Sequence, residues 1–174
     1  VFSIDDSDIL IDRVFMTAVK KSNYQKVEEM LDKDAAINHK DSNKLVALAY
    51  ALENDDRKMF RLLVANGANP KARILNKSSL LIYYVTMNRY SLIQDLLESG
   101  VDPNFQDRLG MTALMHSIEK ANVNAVNILT KQEINEDITD FSGNNDLTNT
   151  IVNYDSSKTI EEKMYSSGFK KYYK

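Results

Sequence analysis

Two short stretches of the sequence decide the fold, because they carry the same loop-forming residues at one fixed interval. Residues 96–104 read LLESGVDPN, and residues 63–71 read LVANGANPK. Gly67 and Gly100 are therefore 33 residues apart, and so are Pro70 and Pro103. The chain has five Gly and two Pro in 174 residues. A shared interval among so few loop-forming residues indicates an internal repeat, which has to be found before single elements are assigned.

The apolar residues follow the same interval of 33 residues without an insertion. The repeat units begin at Ile11, Lys44, Lys77, Gly110 and Gly143. The fifth and ninth positions are apolar in every unit: Phe15, Leu48, Leu81, Leu114, Leu147, and Val19, Leu52, Val85, Ile118, Ile151. Two later apolar columns are Val27, Phe60, Ile93, Val126, and Met30, Leu63, Leu96, Leu129. The eighth position is small except for one Tyr: Ala18, Ala51, Tyr84, Ser117, Thr150. These columns predict a repeat protein whose core is formed between units.

Within a unit the apolar spacing is helical. Leu48 and Leu52 mark one face, and Phe60 and Leu63 mark another, at intervals of three and four residues. The polar residues 53–57 between them suit a tight turn. Gly just past the second helix supplies a left-handed cap, and an Asn or Asp before Pro begins an extended turn. Each unit is predicted to be helix, turn, helix and long turn.

Residues 107–115, DRLGMTALM, resemble the D-x-x-G-x-T-P-L-H motif of ankyrin repeats, and residues 96–104 resemble L-L-x-x-G-A-D-x-N of the same family. No unit has an intact T-P-L-H; Ala113 and Met115, for example, hold its Pro and His positions. The resemblance implies an all-α ankyrin-repeat solenoid of about five stacked units with degenerate terminal caps.

On this register the chain divides into three parts. Residues 1–10 form a leader or N-terminal cap, residues 11–168 form the repeat domain, and residues 169–174 form a basic and aromatic tail. The units lie near residues 11–43, 44–76, 77–109, 110–142 and 143–168. In the last unit, charged residues occupy or border positions that are apolar elsewhere, as the outer face of a terminal repeat requires: Lys158, Glu161, Glu162 and Lys163.

Composition excludes several kinds of protein. The net charge of -3 argues against a nucleic-acid binder, and the absence of Cys excludes disulfides and Cys-based zinc sites. The longest apolar run, residues 45–52, is far shorter than the ~20 residues of a membrane span. No secretory signal is visible, and the first residue is Val1, which fits a processed or trimmed product. The sequence does not distinguish cytoplasmic, periplasmic and secreted locations.

The sequence offers little for catalysis. The only histidines, His39 and His116, lie in a long turn and in an inner helix two units away, and both are expected to be surface or capping residues. Asp41, Asp107 and Asp140 share one position, where an Asp side chain bonds the N–H groups of its own turn. We therefore predict a protein without catalytic activity, cofactor or metal.

The resemblance implies a protein-protein interaction module that binds a partner protein, as a monomer, through its turn tips and concave inner-helix face. Several tips carry apolar residues, which indicates an exposed apolar stripe, and charged residues beside it are expected to give specificity. The predicted partner-binding residues are Leu45, Arg73, Leu75, Met87, Arg108, Leu109, Met111, Glu119, Lys120 and Phe141.

Three alternatives stay open at this point. The apolar tips could pack on each other, with Leu75 against Leu109. The chain could be a regulatory or targeting part of a larger enzyme or effector. The basic and aromatic tail could contact RNA or an anionic membrane, although such a segment is more often a frayed terminus.

Overall fold

A computed structural model describes residues 6–135, 137–143 and 162. The chain forms two compact units, one ending at Leu75 and the other beginning at Asn76. The first unit contains α1 (Asp6–Lys20), α2 (Tyr24–Asp32), α3 (Ala47–Glu53), α4 (Arg57–Ala65) and β1 (Arg73–Ile74). The second contains β2 (Ser78–Ser79), α5 (Leu80–Thr86), α6 (Ile93–Glu98), α7 (Ala113–Glu119) and α8 (Val123–Leu129). A short 3-10 turn, Leu75–Lys77, lies between the two strands.

Each compact unit contains two helix pairs, and each pair corresponds to one predicted 33-residue repeat. In the first unit α1 packs on α2, α3 packs on α4, and the inner helices α1 and α3 contact each other. In the second unit α5 packs on α6, α7 packs on α8, and α5 contacts α7. The prediction of an all-α repeat fold is confirmed, since the strands in the described part of the chain have two residues each.

The four predicted apolar columns form the core. In the described residues all their members are buried, and Met30 is the most accessible of them at 5% exposure. Burying one such side chain contributes roughly 1.5–3 kcal/mol relative to leaving it in water. The columns therefore join the two helices of each pair, and they join each pair to the next pair of the same compact unit.

Residues in the left-handed conformation recur at the same interval as the core. The predicted helix caps Gly67 and Gly100 have φ of 94° and 93°. Three columns hold almost all of the described residues with positive φ: Asp34, Gly67, Gly100; Ser22, Asp55, Asn88, Ala121; and Lys44, Lys77, Gly110, Gly143. Asn76 is the exception. The backbone path therefore repeats even where the residue has a Cβ that makes this conformation unfavourable.

The helix starts explain why α6 is short. The outer helices α2, α4 and α8 are capped by the side chains of Asn23, Asp56 and Asn122, which lie on one repeat column. Arg89 occupies that column before α6, and α6 begins only at Ile93 without a side-chain cap.

Tyr84, the exception in the column of small residues, supplies a substitute for the missing cap of α6. Its side chain is fully buried, and its hydroxyl accepts a hydrogen bond from the Leu92 N–H at 2.9 Å and lies 3.0 Å from Ser91 Oγ. The large side chain thus fills the core and satisfies a buried N–H at the start of α6.

Some predicted boundaries can be compared with the structure. Helix α1 runs through the predicted boundary at residue 10, because it begins at Asp6. The predicted fifth repeat lies outside the described residues after Gly143, apart from the exposed Glu162. The tail at residues 169–174 also lies outside them.

The left-handed Lys44, with φ of 59°, yields a first prediction. Lys44→Gly should raise the free energy of unfolding by up to about 1 kcal/mol, because relief of the Cβ strain exceeds the entropy cost of Gly. Urea denaturation measures this difference. Lys44→Ala keeps the Cβ and should give no gain; an equal gain in both variants would show that strain is not the cause.

The Tyr84 hydroxyl yields a second prediction. Tyr84→Phe leaves the buried Leu92 N–H without this acceptor, and we expect a loss of about 1–3 kcal/mol in the free energy of unfolding. Tyr90→Phe is the matched control, since Tyr90 is 44% exposed, and its effect should stay below about 0.5 kcal/mol. Equal effects of the two changes would contradict this role of Tyr84.

Candidate functional site

Three turns in the described part of the chain are built around one carboxylate each. We refer to the Asp41 turn (residues 41–45), the Asp107 turn (residues 107–111) and the Asp140 turn (residues 140–143). In all three, one Asp oxygen accepts the N–H of the residue two positions on, at 2.9 Å. In the first two it also accepts the N–H four positions on, from Leu45 at 3.1 Å and from Met111 at 3.0 Å. The predicted turn-stabilising role of these Asp residues is therefore confirmed.

The second carboxylate oxygen attaches two of these turns to an inner helix. The Tyr50 hydroxyl in α3 donates a hydrogen bond to Asp41 Oδ2. At the equivalent place in α7, His116 Nε2 lies 2.6 Å from Asp107 Oδ2. His116 is 9% exposed, so the expectation of a surface or capping residue is wrong for it, whereas His39 is exposed as predicted.

Sequence reasoning missed these two bridges, although the signal for them is present. Tyr50 and His116 each follow their Asp by nine residues, and the two pairs are two repeat intervals apart. Extending the column comparison to polar residues would have aligned Asp41 with Asp107 and Tyr50 with His116.

The electrostatics of the Asp41 turn follow from this geometry. Burial, the largest single influence, acts to raise the pKa of Asp41, but hydrogen bonds from Tyr50, Leu45 N–H and Asn43 N–H and the charge of Lys20 outweigh it and lower that pKa. Burial and the bond to Asp41 raise the pKa of Tyr50. Lys20 Nζ lies 3.8 Å from Asp41 and 4.3 Å from the Tyr50 ring centre. The carboxylate is thus held in its charged form.

The turn between the second and third repeats has a different construction. Ile74 occupies the position of the turn Asp and is buried at 4% exposure. Asn76 and Lys77 are both left-handed, with φ of 58°. Leu75, within this turn, is 43% exposed, so an apolar tip side chain remains accessible.

Asparagine side chains connect the long turns of successive repeats. In the first unit the Asn38 amide donates to Gly67 O at 3.1 Å and accepts from Asn69 N–H at 2.7 Å. In the second unit Asn104 makes the equivalent bonds to Glu133 O and Asn135 N–H at 3.0 and 2.9 Å. These bonds fix the distance between neighbouring repeats on the side where the turns lie.

The structure places most of the predicted partner-binding side chains at the surface. Leu109 and Phe141 are 63% and 76% exposed. The exposed charged residues among the predicted set are Arg73, Arg108, Glu119 and Lys120. Met87 at the end of α5 and Met111 in the Asp107 turn are half-buried.

The expectation of an exposed tip at Leu45 is wrong, because this side chain is 6% exposed. Its N–H is bound by the Asp41 side chain, and its carbonyl accepts the Asp41 N–H at 2.9 Å. Both bonds hold the residue at the closing end of the turn, directly before the buried Val46 that caps the start of α3. It therefore belongs to the core.

The Asp107 and Asp140 turns contact each other at their tips. Phe141 N–H donates to Leu109 O at 3.0 Å, and a Cβ on Gly110 would lie 2.6 Å from the Phe141 ring. The alternative of packing between tips therefore applies to the backbone of these two turns. It does not remove their apolar side chains from water, since Leu109 and Phe141 stay exposed.

Two surface grooves flank the Asp41 turn in the first unit. One, of about 640 Å³, lies between α1 and the turn and is lined by Ile9, Met16, Arg13 and Lys20 among others. The other, of about 540 Å³, includes Tyr50 and Leu75. Apolar and charged side chains thus occur together beside α1 and α3.

Neither a metal-binding cluster nor a membrane-crossing helix occurs in the described residues. No three His, Cys, Asp or Glu side chains there are grouped to hold an ion. No helix among them has the length and apolar character needed to cross a bilayer.

Comparison with known proteins identifies the repeat. Residues 81–159 match the family described as ankyrin repeats (3 copies). The chain is 27% identical over 138 residues, 79% of its length, to the ankyrin repeat protein L371 of Acanthamoeba polyphaga mimivirus. It is 28% identical over 101 residues, 58% of its length, to an ankyrin repeat-containing protein of Treponema pallidum. It is also 28% identical over 122 residues, 70% of its length, to the human neurogenic locus notch homolog protein 1.

With the 33-residue interval and the helix pairs, these matches show that the chain contains ankyrin repeats. The aligned part of the chain spans 17%, 34% and 5% of the length of those three relatives. Ankyrin repeats are a general protein-protein interaction module, and the family is typically non-catalytic.

The Asp41 bridge yields a prediction with a defined pH dependence. The pKa of Asp41 is lower in the folded chain than its ordinary value of 3.8, so its charged form stabilises the fold above that value. The contribution is lost as pH falls through the folded pKa. Asp41→Asn should cost about 1.5–3 kcal/mol near pH 7, with a difference that shrinks below about pH 4.

Urea denaturation at several pH values measures this difference. Asp32→Asn, a change at an exposed carboxylate, serves as the control for general charge effects. A difference between wild type and Asp41→Asn that stayed constant down to pH 2 would contradict the assignment.

Proposed function

We propose that this chain is a non-catalytic protein-protein interaction module that binds a partner protein through its β-turn tips and the concave face of its inner helices. The observation that carries the proposal is the exposure of Leu109 and Phe141, at 63% and 76%, on two adjacent turns joined by a backbone hydrogen bond. Apolar side chains at turn tips have no structural need to face water, and their grouping is typical of an interface.

The turns that carry these side chains are already ordered in the free chain. Asp107 holds the backbone of its turn through the N–H groups of Leu109 and Met111. Phe141 lies against Gly110. A partner that binds here therefore orders few additional groups, and the conformational entropy cost of ordering these turns is small.

Charged residues near these tips are suited to select the partner. Arg108 precedes Leu109 in the same turn and is exposed, and Arg is enriched among residues that dominate binding energies. Glu119 and Lys120 end α7 and are exposed at the far end of the same inner helix. We assign affinity to the apolar tips and specificity to these charges.

The first unit has a separate candidate surface of its own in this proposal. The groove between α1 and the Asp41 turn presents Ile9 and Met16 together with Arg13 and Lys20. Leu75, 43% exposed, lines the neighbouring groove. Concave surfaces with apolar walls and a few polar groups are typical of ligand sites. Leu45 is not part of this surface, because it is buried.

Substitution of the exposed tip tests the proposal. Leu109→Asp should leave the melting temperature within about 2 °C of wild type, because changes at exposed positions usually alter stability by less than about 0.5 kcal/mol. It should reduce capture of the partner from the native host more than tenfold, since it places a charge at the centre of the apolar contact. Quantitative mass spectrometry of the captured proteins measures this loss.

The control uses an apolar residue of equal exposure elsewhere. Leu10, on α1, is 61% exposed, and Leu10→Asp should leave capture unchanged. A loss of stability in Leu109→Asp would show a core residue, and an equal loss of capture in both variants would show a general effect of surface charge. Either result would contradict binding through the tip.

Other functions stay as predictions. A regulatory or targeting role within a larger enzyme or effector would use the same surface. The suggested RNA or membrane contact rests on residues 169–174, outside the described residues.

A further inference from the structure

His116 lies between two carboxylates that belong to different parts of the proposed binding surface. Its Nε2 is 2.6 Å from Asp107 Oδ2, and its Nδ1 is 3.9 Å from Glu119 Oε2. The imidazole is 11% exposed, and the Asp107 side chain is 12% exposed. Asp107 organises the turn that carries Leu109, and Glu119 ends the inner helix.

The geometry defines which ring nitrogen carries the proton of a neutral imidazole. At 2.6 Å from a carboxylate oxygen, Nε2 has to be a donor, because two acceptors at this distance would repel each other. Nδ1 then presents a lone pair toward the Glu119 carboxylate. A second proton on Nδ1 would convert this contact into an attraction between a cation and Glu119 while the bond to Asp107 becomes an ion pair.

We propose that His116 is a pH-responsive positioning residue that couples the Asp107 turn to Glu119. Histidine is the side chain that ordinarily changes charge between about pH 5 and pH 8. Protonation tightens the bond to Asp107 and draws Glu119 toward the imidazolium. If the tip binds a partner, as proposed above, the geometry of that tip and the charge offered by Glu119 change together when the imidazole gains its second proton.

The surroundings of His116 support this assignment. Helix α7 packs on α5 and α8, whose sequences LLIYYVT and VNAVNIL contain no charged residue. Their titratable groups are Tyr83 and Tyr84, and the Tyr84 hydroxyl contacts Ser91 and Leu92. The remaining charged groups near it in sequence or at the neighbouring turn are Arg108, Lys120 and Asp140. Asp107 and Glu119 are the carboxylates placed within 4 Å of the ring.

Asp107 transmits the change to the tip. Its other oxygen accepts the N–H groups of Leu109 and Met111 at 2.9 and 3.0 Å. A change of charge on the hydrogen-bond partner of a carboxylate alters the strength of all the bonds that this carboxylate makes. The two amides are therefore direct reporters of the state of His116.

The Asp41 turn is an internal control with the same construction. Asp41 accepts the N–H groups of Asn43 and Leu45, but the group on its second oxygen is the Tyr50 hydroxyl. Burial and the bond to Asp41 raise the pKa of Tyr50 above its ordinary value of 10.0. Tyr50 therefore keeps its proton throughout the range in which a histidine titrates.

Nuclear magnetic resonance of the free chain tests the proposal. A ¹⁵N-labelled sample with His39→Gln removes the other histidine, and its amide shifts are followed from pH 5 to pH 8. The Leu109 and Met111 amides should shift along one common titration curve, whereas the Asn43 and Leu45 amides should stay constant. Glu119→Gln should move the common transition to lower pH, because it removes the second carboxylate.

Exchange of the two bridging residues completes the test. His116→Tyr reproduces the Asp41 bridge, and it should keep the Asp107 turn folded while the titration of Leu109 and Met111 disappears. Tyr50→His should create a titration at Asn43 and Leu45, which keeps the test decisive if His116→Tyr fails to fold.

Constant Leu109 and Met111 shifts in the His39→Gln sample would overturn the proposal, as would an unchanged titration in His116→Tyr or no new titration in Tyr50→His. The measurement needs no partner. Its failure is therefore distinct from a failure of the proposed binding function. That function is tested separately, by the partner-capture experiment with Leu109→Asp.

Discussion

The structure depends on the burial of apolar residues between short helices. Helices α2 to α8 have six to nine residues each, and an isolated helix shorter than about 12–15 residues is marginal in water. They persist because residues such as Leu52, Phe60, Leu63 and Val85 are buried against the neighbouring helices. Local propensity is secondary in such a fold, and each repeat is stabilised mainly by the next one.

The second constraint is that the backbone of a turn has to be held against its inner helix. One carboxylate does this in the Asp41 and Asp107 turns, because it binds the turn backbone with one oxygen and an inner-helix side chain with the other. A turn held in this way can carry an exposed apolar residue such as Leu109 without collapsing onto it. The same carboxylate that orders the turn therefore also supports the surface that we propose for a partner.

Repetition at a fixed interval explains which parts of the fold were predictable. The core columns, the two helices of each repeat and the Gly caps follow from spacing alone, because equal positions in stacked repeats have equal environments. The late start of α6 does not, since it results from Arg89 in a capping position and Tyr84 in a position that is small elsewhere. Such local exceptions depend on how one large side chain fits between neighbours.

The sequence by itself determined the period, the buried columns, the turn carboxylates and the class of protein, because these depend on residue type and interval. Only the tertiary structure decided which tip residues face water. Leu45 and Leu109 both lie in Asp-centred turns and have similar side chains, yet one is 6% exposed and the other 63%. Tertiary structure also joined His116 to Asp107 and Glu119. The physical reason is that exposure and side-chain contacts depend on the direction of each side chain relative to the packed helices, and an interval along the chain does not specify that direction.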